Sequence, residues 1–571
     1  MKKHLLFLFI LISFISYKAQ TPFYHYAFSL GESANNDSSF DHAIDAQGNI
    51  YYVATFGAIT TTNYSIDIDP GSGVYSFTGS PSYSRPALIK MNSAGQILWA
   101  VKLCAGGQDC SADAVTVDAA GNVIVTGSFS GSTATDFDPG SGTFTLMPNG
   151  SLNNVYVTKY NANGNWQWAL GFGGNANNRV YDIEAAASGN IYVCGSIEGT
   201  GCDFDPGAGS VILTPAVSRS GFVAKYTSSG TYSGAFLTGG TFCNWQNLLL
   251  DASENVYATG NFEGTNIDMD PGAGTALLSA STSNYNIFIA KYNSSLQYQW
   301  AFKLGASSGN SAGGLAFDQS GNLFATGMFS GTMDFDPGPG NSSATGGGYN
   351  GFISKYSTAG AFQSAIYMFG ISDIFPVSDA AGNVYVTGTY FSNVDFDPSS
   401  GSAVVTNQAG TDDVFLAKYN SSLAYQWAFG VGGAGYESGK SISVDPYKNV
   451  TVCGYFDSSV MDMDPGTGTN NVTNTGTAWD LFFARYSQSP DIGIQEITKH
   501  NFNLGPNPCN GIFTIDPDNT NKFDVRVYNS LGEIVYERSG LEGRSEIDMQ
   551  SQPFGVYFVK TGSVIQKIIK E

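Results

Sequence analysis

The string Asp-x-Asp-Pro occurs seven times in 571 residues, beginning at Asp67, Asp136, Asp203, Asp268, Asp334, Asp395 and Asp462. Successive spacings of 69, 67, 65, 66, 61 and 67 residues fit one structural unit that recurs with variable loops. A chain of this length needs either several domains or one large repeat architecture. The repeats favour the second.

Three further elements keep phase with the motif. Ahead of it lies a turn of the form Asp-x-x-Gly-Asn or a near variant, as in Asp118-Ala-Ala-Gly121-Asn122, followed by an apolar run such as Val384-Tyr-Val-Thr-Gly388. Behind it comes a run ending in Lys-Tyr, at Lys159, Lys225, Lys291, Lys355 and Lys418, with Arg485-Tyr486 in the last copy. Trp-Ala then follows at Trp99, Trp168, Trp300 and Trp427. Each unit therefore reads as four strands. Strand A precedes the turn (Ala114–Asp118), B follows it (Asn122–Thr126), C carries Lys-Tyr (Val155–Lys159) and D carries Trp-Ala. Asp at the first turn position and Gly at the fourth suit a tight type I turn between A and B. Seventy Gly, 14 % aromatic and 13 % charged residues agree with many short strands and tight turns.

Four antiparallel strands in about 66 residues, repeated, is the pattern of a β-propeller. An open solenoid is the alternative, and the ends of the repeat region discriminate. Tyr24-His-Tyr-Ala-Phe-Ser-Leu-Gly31 copies the strand D segment Tyr298-Gln-Trp-Ala-Phe-Lys-Leu-Gly305, while nothing like Trp-Ala follows Arg485-Tyr486. The first strand is thus expected to complete the last unit, which closes the ring and removes free sheet edges. The expected fold is all-β: a seven-bladed β-propeller over 21–487. The Asp-x-x-Gly-Asn-x-Tyr-Val-x-Gly pattern resembles the bacterial β-propeller repeat family called SBBP, over about 22–486. That resemblance implies a propeller and says little about activity.

Lys2 and Lys3, an apolar run from Leu5 to Ile15 and the segment Tyr17-Lys-Ala-Gln20 read as a signal peptide over 1–20. No other segment reaches about 18 consecutive apolar residues, so no integral membrane span is expected in the mature chain. No Cys lies near the cleavage region, which argues against an N-terminal lipid anchor. Between 21 and 500 the chain holds 15 basic and 38 acidic residues, out of a net charge of −22 for the whole. Such a surface repels nucleic acid and anionic lipid and attracts cations. Of the seven Cys, 104 with 110 and 194 with 202 are close enough to form local disulfides; small buried apolar roles are the alternative.

A polar linker over 488–500 leads to a segment without repeat motifs, 501–571. Gly505-Pro-Asn-Pro-Cys-Asn-Gly-Ile-Phe-Thr514, Asp524-Val-Arg-Val-Tyr-Asn-Ser-Leu-Gly-Glu533 and Phe554-Gly-Val-Tyr-Phe-Val-Lys560 describe a small Ig-like β-sandwich. It is similar to the type A C-terminal sorting domain of the type IX secretion system of Bacteroidetes. The match includes the Pro-Asn-Pro start and the basic tail Lys567-Ile-Ile-Lys570, and departs at Cys509, where Ser is commoner. The resemblance implies the type IX secretion machinery as a partner, export across the outer membrane, and a protein released or held on the cell surface, with the domain usually removed.

Candidate chemistry is sparse. Of four His, only His25 and His42 fall in the repeat region, and no Ser-His-Asp, Cys-His or metal-His arrangement can be built from them. The recurring acidic motif remains, pairing Asp67 with Asp69, Asp136 with Asp138, Asp203 with Asp205, Asp268 with Asp270, Asp334 with Asp336, Asp395 with Asp397 and Asp462 with Asp464. Residues i and i+2 of an extended segment share a face, so two carboxylates and loop carbonyls could begin a calcium shell. The other reading is a structural turn in which the residue between the two Asp is buried and holds the loop down. No other cofactor is expected. The loops lie between strands B and C, which in a propeller share a face with the D–A connections, so seven acidic loops are expected around one channel mouth. No unit shows unique acidic or aromatic insertions there. The expectation is a non-enzymatic, monomeric module binding an extracellular protein or glycan; a carboxylate-based hydrolase or lyase and a purely structural adhesion or surface-layer component are the alternatives.

Overall fold

The computed structural model describes residues 22–31, 37–56, 64–69, 75–79, 84–105, 109–150, 152–215, 218–239, 242–280, 284–306, 308–408, 411–474, 476, 478–488, 502–517, 522–529, 533–561 and 564–570. The expected signal peptide and, apart from Gln488, the expected linker lie outside the described residues. The chain divides into two compact units, Met1–Pro490 and Asp491–Glu571. Every regular element among the described residues is a β-strand, and no helix is long and apolar enough to cross a membrane.

Among the described residues the first unit holds seven four-stranded antiparallel sheets, and its fold is propeller-like. The second sheet shows the pattern: Ala114–Val117, Val123–Phe129, Asn154–Tyr160 and Trp166–Phe172, adjacent in space in chain order. Strands B and C read as continuous apolar runs because both faces are covered by neighbouring sheets; all seven residues of Asn154–Tyr160 are buried. Strand D, the last in each sheet, is less covered: in Trp166–Phe172 one residue is exposed, three are half-buried and three are buried.

The strand A to B turn forms as its residues dictate. Asp118 Oδ1 accepts the Ala120 and Asn122 N–H groups at 3.0 and 2.9 Å, and Asn122 Nδ2 donates to Oδ2 at 2.8 Å. The third sheet lacks this Asp, having Ala186, and the fourth has Glu254 where Gly is usual. The two departures answer each other. Glu254, at a φ of 59°, reaches back so that its Oε2 accepts Asn190 Nδ2 at 2.9 Å and the Tyr192 hydroxyl at 2.8 Å. Burial alone would raise its pKa, but bonds from Ser188, Asn190 and Tyr192 and the Lys225 charge bring it down to about 2.

The Lys-Tyr and Trp-Ala pairs pack sheet to sheet. Lys159 Nζ and Trp168 Nε1 both donate to Ser228 O in the next sheet's C–D turn, at 3.2 and 3.3 Å. Lys90 and Trp99 treat Ala162 O likewise, both at 3.1 Å. Gly164 and Gly230, with φ of 80° and 79°, sit under Trp99 and Trp168, where a Cβ would press on the indole.

The first strands of the seven sheets (Ser38–Ile44, Ala114–Val117, Arg179–Ala185, Phe242–Leu250, Ser308–Phe317, Ile371–Ser378 and Glu437–Val444) each lie against the next, and the last lies against the first. The cycle also closes at the outer edge. Phe23–Leu30 pairs antiparallel with Asp480–Ser487, the third strand of the seventh sheet. Tyr26 takes the place of the Trp, packing on Gly95. Phe28 and Phe483 stack at 5.3 Å in the same core.

Cys104 and Cys110 form a disulfide. The other candidate pairing, Cys194 with Cys202, is not made: both are buried and free, and fill the apolar role that was its alternative. In the second unit, a three-stranded sheet (Phe502–Gly505, Ile512–Pro517, Ser545–Asp548) and a four-stranded one (Phe523–Tyr528, Ile534–Leu541, Gly555–Thr561, Val564–Lys570) share a core of Phe513, Val525, Val527 and Val559. Lys570 of the basic tail is buried; its Nζ donates to Met549 O and Gln550 O at 3.0 and 2.8 Å. Cys509 is buried in that core.

Candidate functional site

The seven acidic loops share one geometry. The first Asp accepts two backbone N–H bonds on Oδ1, from i+2 and i+8: Asp136 from Asp138 (3.1 Å) and Phe144 (2.8 Å), Asp203 from Asp205 and Val211, Asp268 from Asp270 and Ala276. Asp67, Asp334, Asp395 and Asp462 repeat the pair. In the six loops whose following residues are described, the second Asp accepts the i+2 N–H, as Asp138 does from Gly140 and Asp397 from Ser399. The Gly-x-Gly after the motif has a steric cause: a Cβ at Gly142, Gly209 or Gly274 would strike the second carboxylate.

The residue between the acids is the anchor. Ile68, Phe137, Phe204, Met269, Phe396 and Met463 are fully buried and Phe335 nearly so. The Tyr of Lys-Tyr clamps the anchor's carbonyl: Tyr226 donates to Phe204 O at 3.0 Å, Tyr356 to Phe335 O at 2.9 Å and Tyr419 to Phe396 O at 2.8 Å. Each first carboxylate thus holds the backbone of its own loop, and the anchor between the two Asp ties that loop to its sheet. Among the described residues, no group of three or more His, Cys, Asp or Glu is placed to hold a metal ion.

A second set of carboxylates lies on the innermost strands. These strands carry register shifts, between Ser39 and Asp41, Val180 and Asp182, Ile371 and Asp373, and Gly439 and Ser441. Such bulges redirect side chains out of the regular ladder. Asp41, Asp182 and Glu184 line a cavity of about 510 Å³ between the first strands. Asp113, Arg179, Asp373 and Lys440 line an adjoining one of about 610 Å³ near the strand B–C and D–A ends.

Part of this set joins sheets. Asp41 accepts the Val115 N–H of the second sheet on Oδ2 and the Ser441 hydroxyl of the seventh on Oδ1, both at 2.9 Å. Asp182 accepts Leu248 N–H and Asn247 Nδ2 of the fourth sheet, and Asn247 Oδ1 accepts Leu315 N–H of the fifth. Burial raises Asp41 and Asp113 to about 6 each. Burial, then the Asp41 charge, raises Glu184 to about 8; Asp182 is also raised, by burial and then by Glu184. His42 is buried, which lowers it to about 3 and leaves a neutral imidazole whose Nε2 lies 2.5 Å from Ser443 Oγ. The sequence signal was a polar residue four positions before the A–B turn, at Asp41, Asp182, Asn247 and Ser441. It is present in four units, and the sevenfold motif outweighs it.

Comparison with known proteins bears mainly on the second unit. Residues 503–571 match the secretion system C-terminal sorting domain. The tail specifies export by the type IX secretion system and contact with its machinery, and so a secreted or cell-surface location. The rest of the chain has more remote likenesses. An uncharacterized WD repeat-containing protein of Acanthamoeba polyphaga mimivirus is 27 % identical over 250 residues, which are 37 % of this chain and 18 % of that protein. This chain thus spans under a fifth of that relative. A crystal structure of a protein of unknown function from Dyadobacter fermentans aligns at 10 % identity and a TM-score of 0.34, covering 81 % of this chain and 98 % of that one. PorZ of Porphyromonas gingivalis, described as a surface component of the type IX secretion system, aligns at 10 % identity and a TM-score of 0.17, covering 95 % and 100 %.

Proposed function

We propose that the protein is a secreted or surface-attached seven-bladed β-propeller that binds an extracellular protein or glycan, with an Ig-like sandwich as its sorting domain. One observation carries this reading. Seven sheets follow one another in a closed cycle, so loops from every sheet gather at one rim around a common opening. The loops' recurring carboxylates are engaged in holding their own turns, which supports a binding rather than a catalytic role for that face. The test is to purify the exported chain and probe it against extracellular proteins and saccharides. Saturable binding supports the module; tethering to cells with no soluble ligand supports the adhesion component instead.

A carboxylate-based hydrolase or lyase is favoured by a separate observation. Asp182 and Glu184 lie in the central cavity, and Glu184 is raised to about 8, in the range of a general acid at neutral pH. Hydrolysis of a polysaccharide that disappears in Glu184→Gln while the melting temperature stays unchanged would establish this reading; absence of turnover on a broad substrate panel would end it.

A further inference from the structure

Repeat symmetry is broken at the rim of the seventh sheet, by substitution rather than insertion. The sixth residue of strand B is Thr55, Ser128, Ser196, Asn261, Met328 and Thr389 in the first six sheets and Tyr455 in the seventh. Diagonally across the ladder stands Trp479, just ahead of the third strand. The Tyr455 and Trp479 rings stack at 4.7 Å with 14° between their planes. Tyr285 and Tyr349 occupy the Trp479 position in the fourth and fifth sheets, but with Asn261 and Met328 rather than an aromatic ring at the Tyr455 position.

The surroundings of this pair are polar and fixed. Asp457 accepts the Trp479 indole N–H on Oδ2 at 3.3 Å and the Tyr436 backbone N–H on Oδ1 at 2.6 Å. Lys440, whose Nζ lies 5.4 Å from the Tyr455 centroid, is held at 2.9 Å by Asp373, and both line the mouth of the central opening. Trp479 remains 38 % exposed and Tyr436 57 % exposed. A carboxylate has about four lone-pair sites, so Asp457 keeps acceptor capacity beside the aromatic surface.

We infer that Tyr436, Tyr455, Asp457 and Trp479 form a site for a neutral pyranose saccharide. This deepens the binding-module reading and rests on it. A pyranose has a face of C–H bonds that packs on an aromatic ring and an equatorial belt of hydroxyls that needs acceptors at the ring edge; the stacked pair and Asp457 supply both. Rigid aromatic side chains offer this area at little entropic cost. The excess of 38 acidic over 15 basic residues across 21–500 repels uronate and sulfated polymers, which makes the ligand neutral.

The exported full-length chain is tested by calorimetry with oligomers of glucose, galactose, mannose and N-acetylglucosamine, with polygalacturonate and heparin as anionic comparisons and a panel of extracellular proteins alongside. At least one neutral oligomer is expected to bind, and Trp479→Ala, Tyr455→Ser and Asp457→Asn to weaken it by about tenfold or more. Phe369→Ala, at an exposed aromatic of the fifth sheet, leaves it unchanged. Thermal melting checks the fold of each variant, and Trp479→Phe retains partial affinity. Neutral-oligomer binding untouched by the first three variants overturns this site and leaves the module reading intact. Binding of proteins or anionic polymers alone has the same consequence. No binding to any probe overturns both.

Discussion

The second sheet takes its four strands from one stretch, 114–172, whereas the seventh takes three from 437–487 and its fourth from Phe23–Leu30. Their internal contacts differ as well. Lys159 in the second sheet pairs with Asp118 at 2.8 Å; in the seventh the equivalent ion pair is Arg485 with Asp445 at 2.5 Å, with side chains 1 % and 0 % exposed. At the joint leaving the second sheet, Asn154 and Asn178 are both buried, and Asn178 Nδ2 donates to Asn153 O at 2.8 Å. The same joint entering the seventh sheet holds Asp413 and Glu437, both buried. One geometry is thus met by neutral amides in one place and by carboxylic groups in the other. Only the second solution is sensitive to pH.

The largest effect tests the closure itself. Removing residues 22–31 exposes the Asp480–Ser487 edge and uncovers Phe483 and Leu481, each buried large side chain representing about 2 kcal/mol. The first unit is expected to lose its cooperative melting transition or to melt far lower, as seen by calorimetry. An unchanged curve would falsify the closed ring. Next comes the ion pair: Arg485→Ala leaves Asp445 buried and uncompensated and should cost about 3–5 kcal/mol, against roughly 2 kcal/mol for Lys159→Ala. Equal costs in denaturant titrations would remove this contrast between the sheets.

The joints give a smaller, pH-dependent effect. Burial, and then the neighbouring Glu437, raises Asp413 to about 7. A raised carboxyl favours the folded state at low pH, so its contribution is complete below the ordinary carboxylate range near 4 and is lost as pH rises through about 7. Stability should therefore fall by about 1–3 kcal/mol between pH 4 and 7 because of this group, and Asp413→Asn should flatten that part of the profile. Asn154→Asp should install a similar slope in the second sheet; if it does not, the joints are not equivalent. The smallest effect sharpens the likeness of the seams. Gly95→Ala and Gly164→Ala each place a Cβ at φ of 80° against Tyr26 or Trp99. Each should cost about 1–2 kcal/mol, and a marked inequality in melting temperature would show that Tyr26 does not stand in for the Trp.

Strand order, the A–B turns, the acidic loops and the use of Phe23–Leu30 to complete the last sheet were legible in the sequence, because each is set by residues within one repeat or by a copy of a repeat segment. Asp118 and Asn122 meet across four residues, and Asp136 and Phe144 across eight, so chain-local chemistry suffices to foresee them. The contacts between sheets were decided by tertiary structure. Glu254 replaces the missing turn acid beside Ala186 from another sheet, Asp41 binds Val115 and Ser441 on either side, and Tyr455 meets Trp479 across a loop whose length varies. Such groups lie tens to hundreds of residues apart, and the polar position before the A–B turn that supplies Asp41 and Ser441 recurs in only four units, so periodicity marks them weakly or not at all. Packing in a closed cycle brings them within bonding distance.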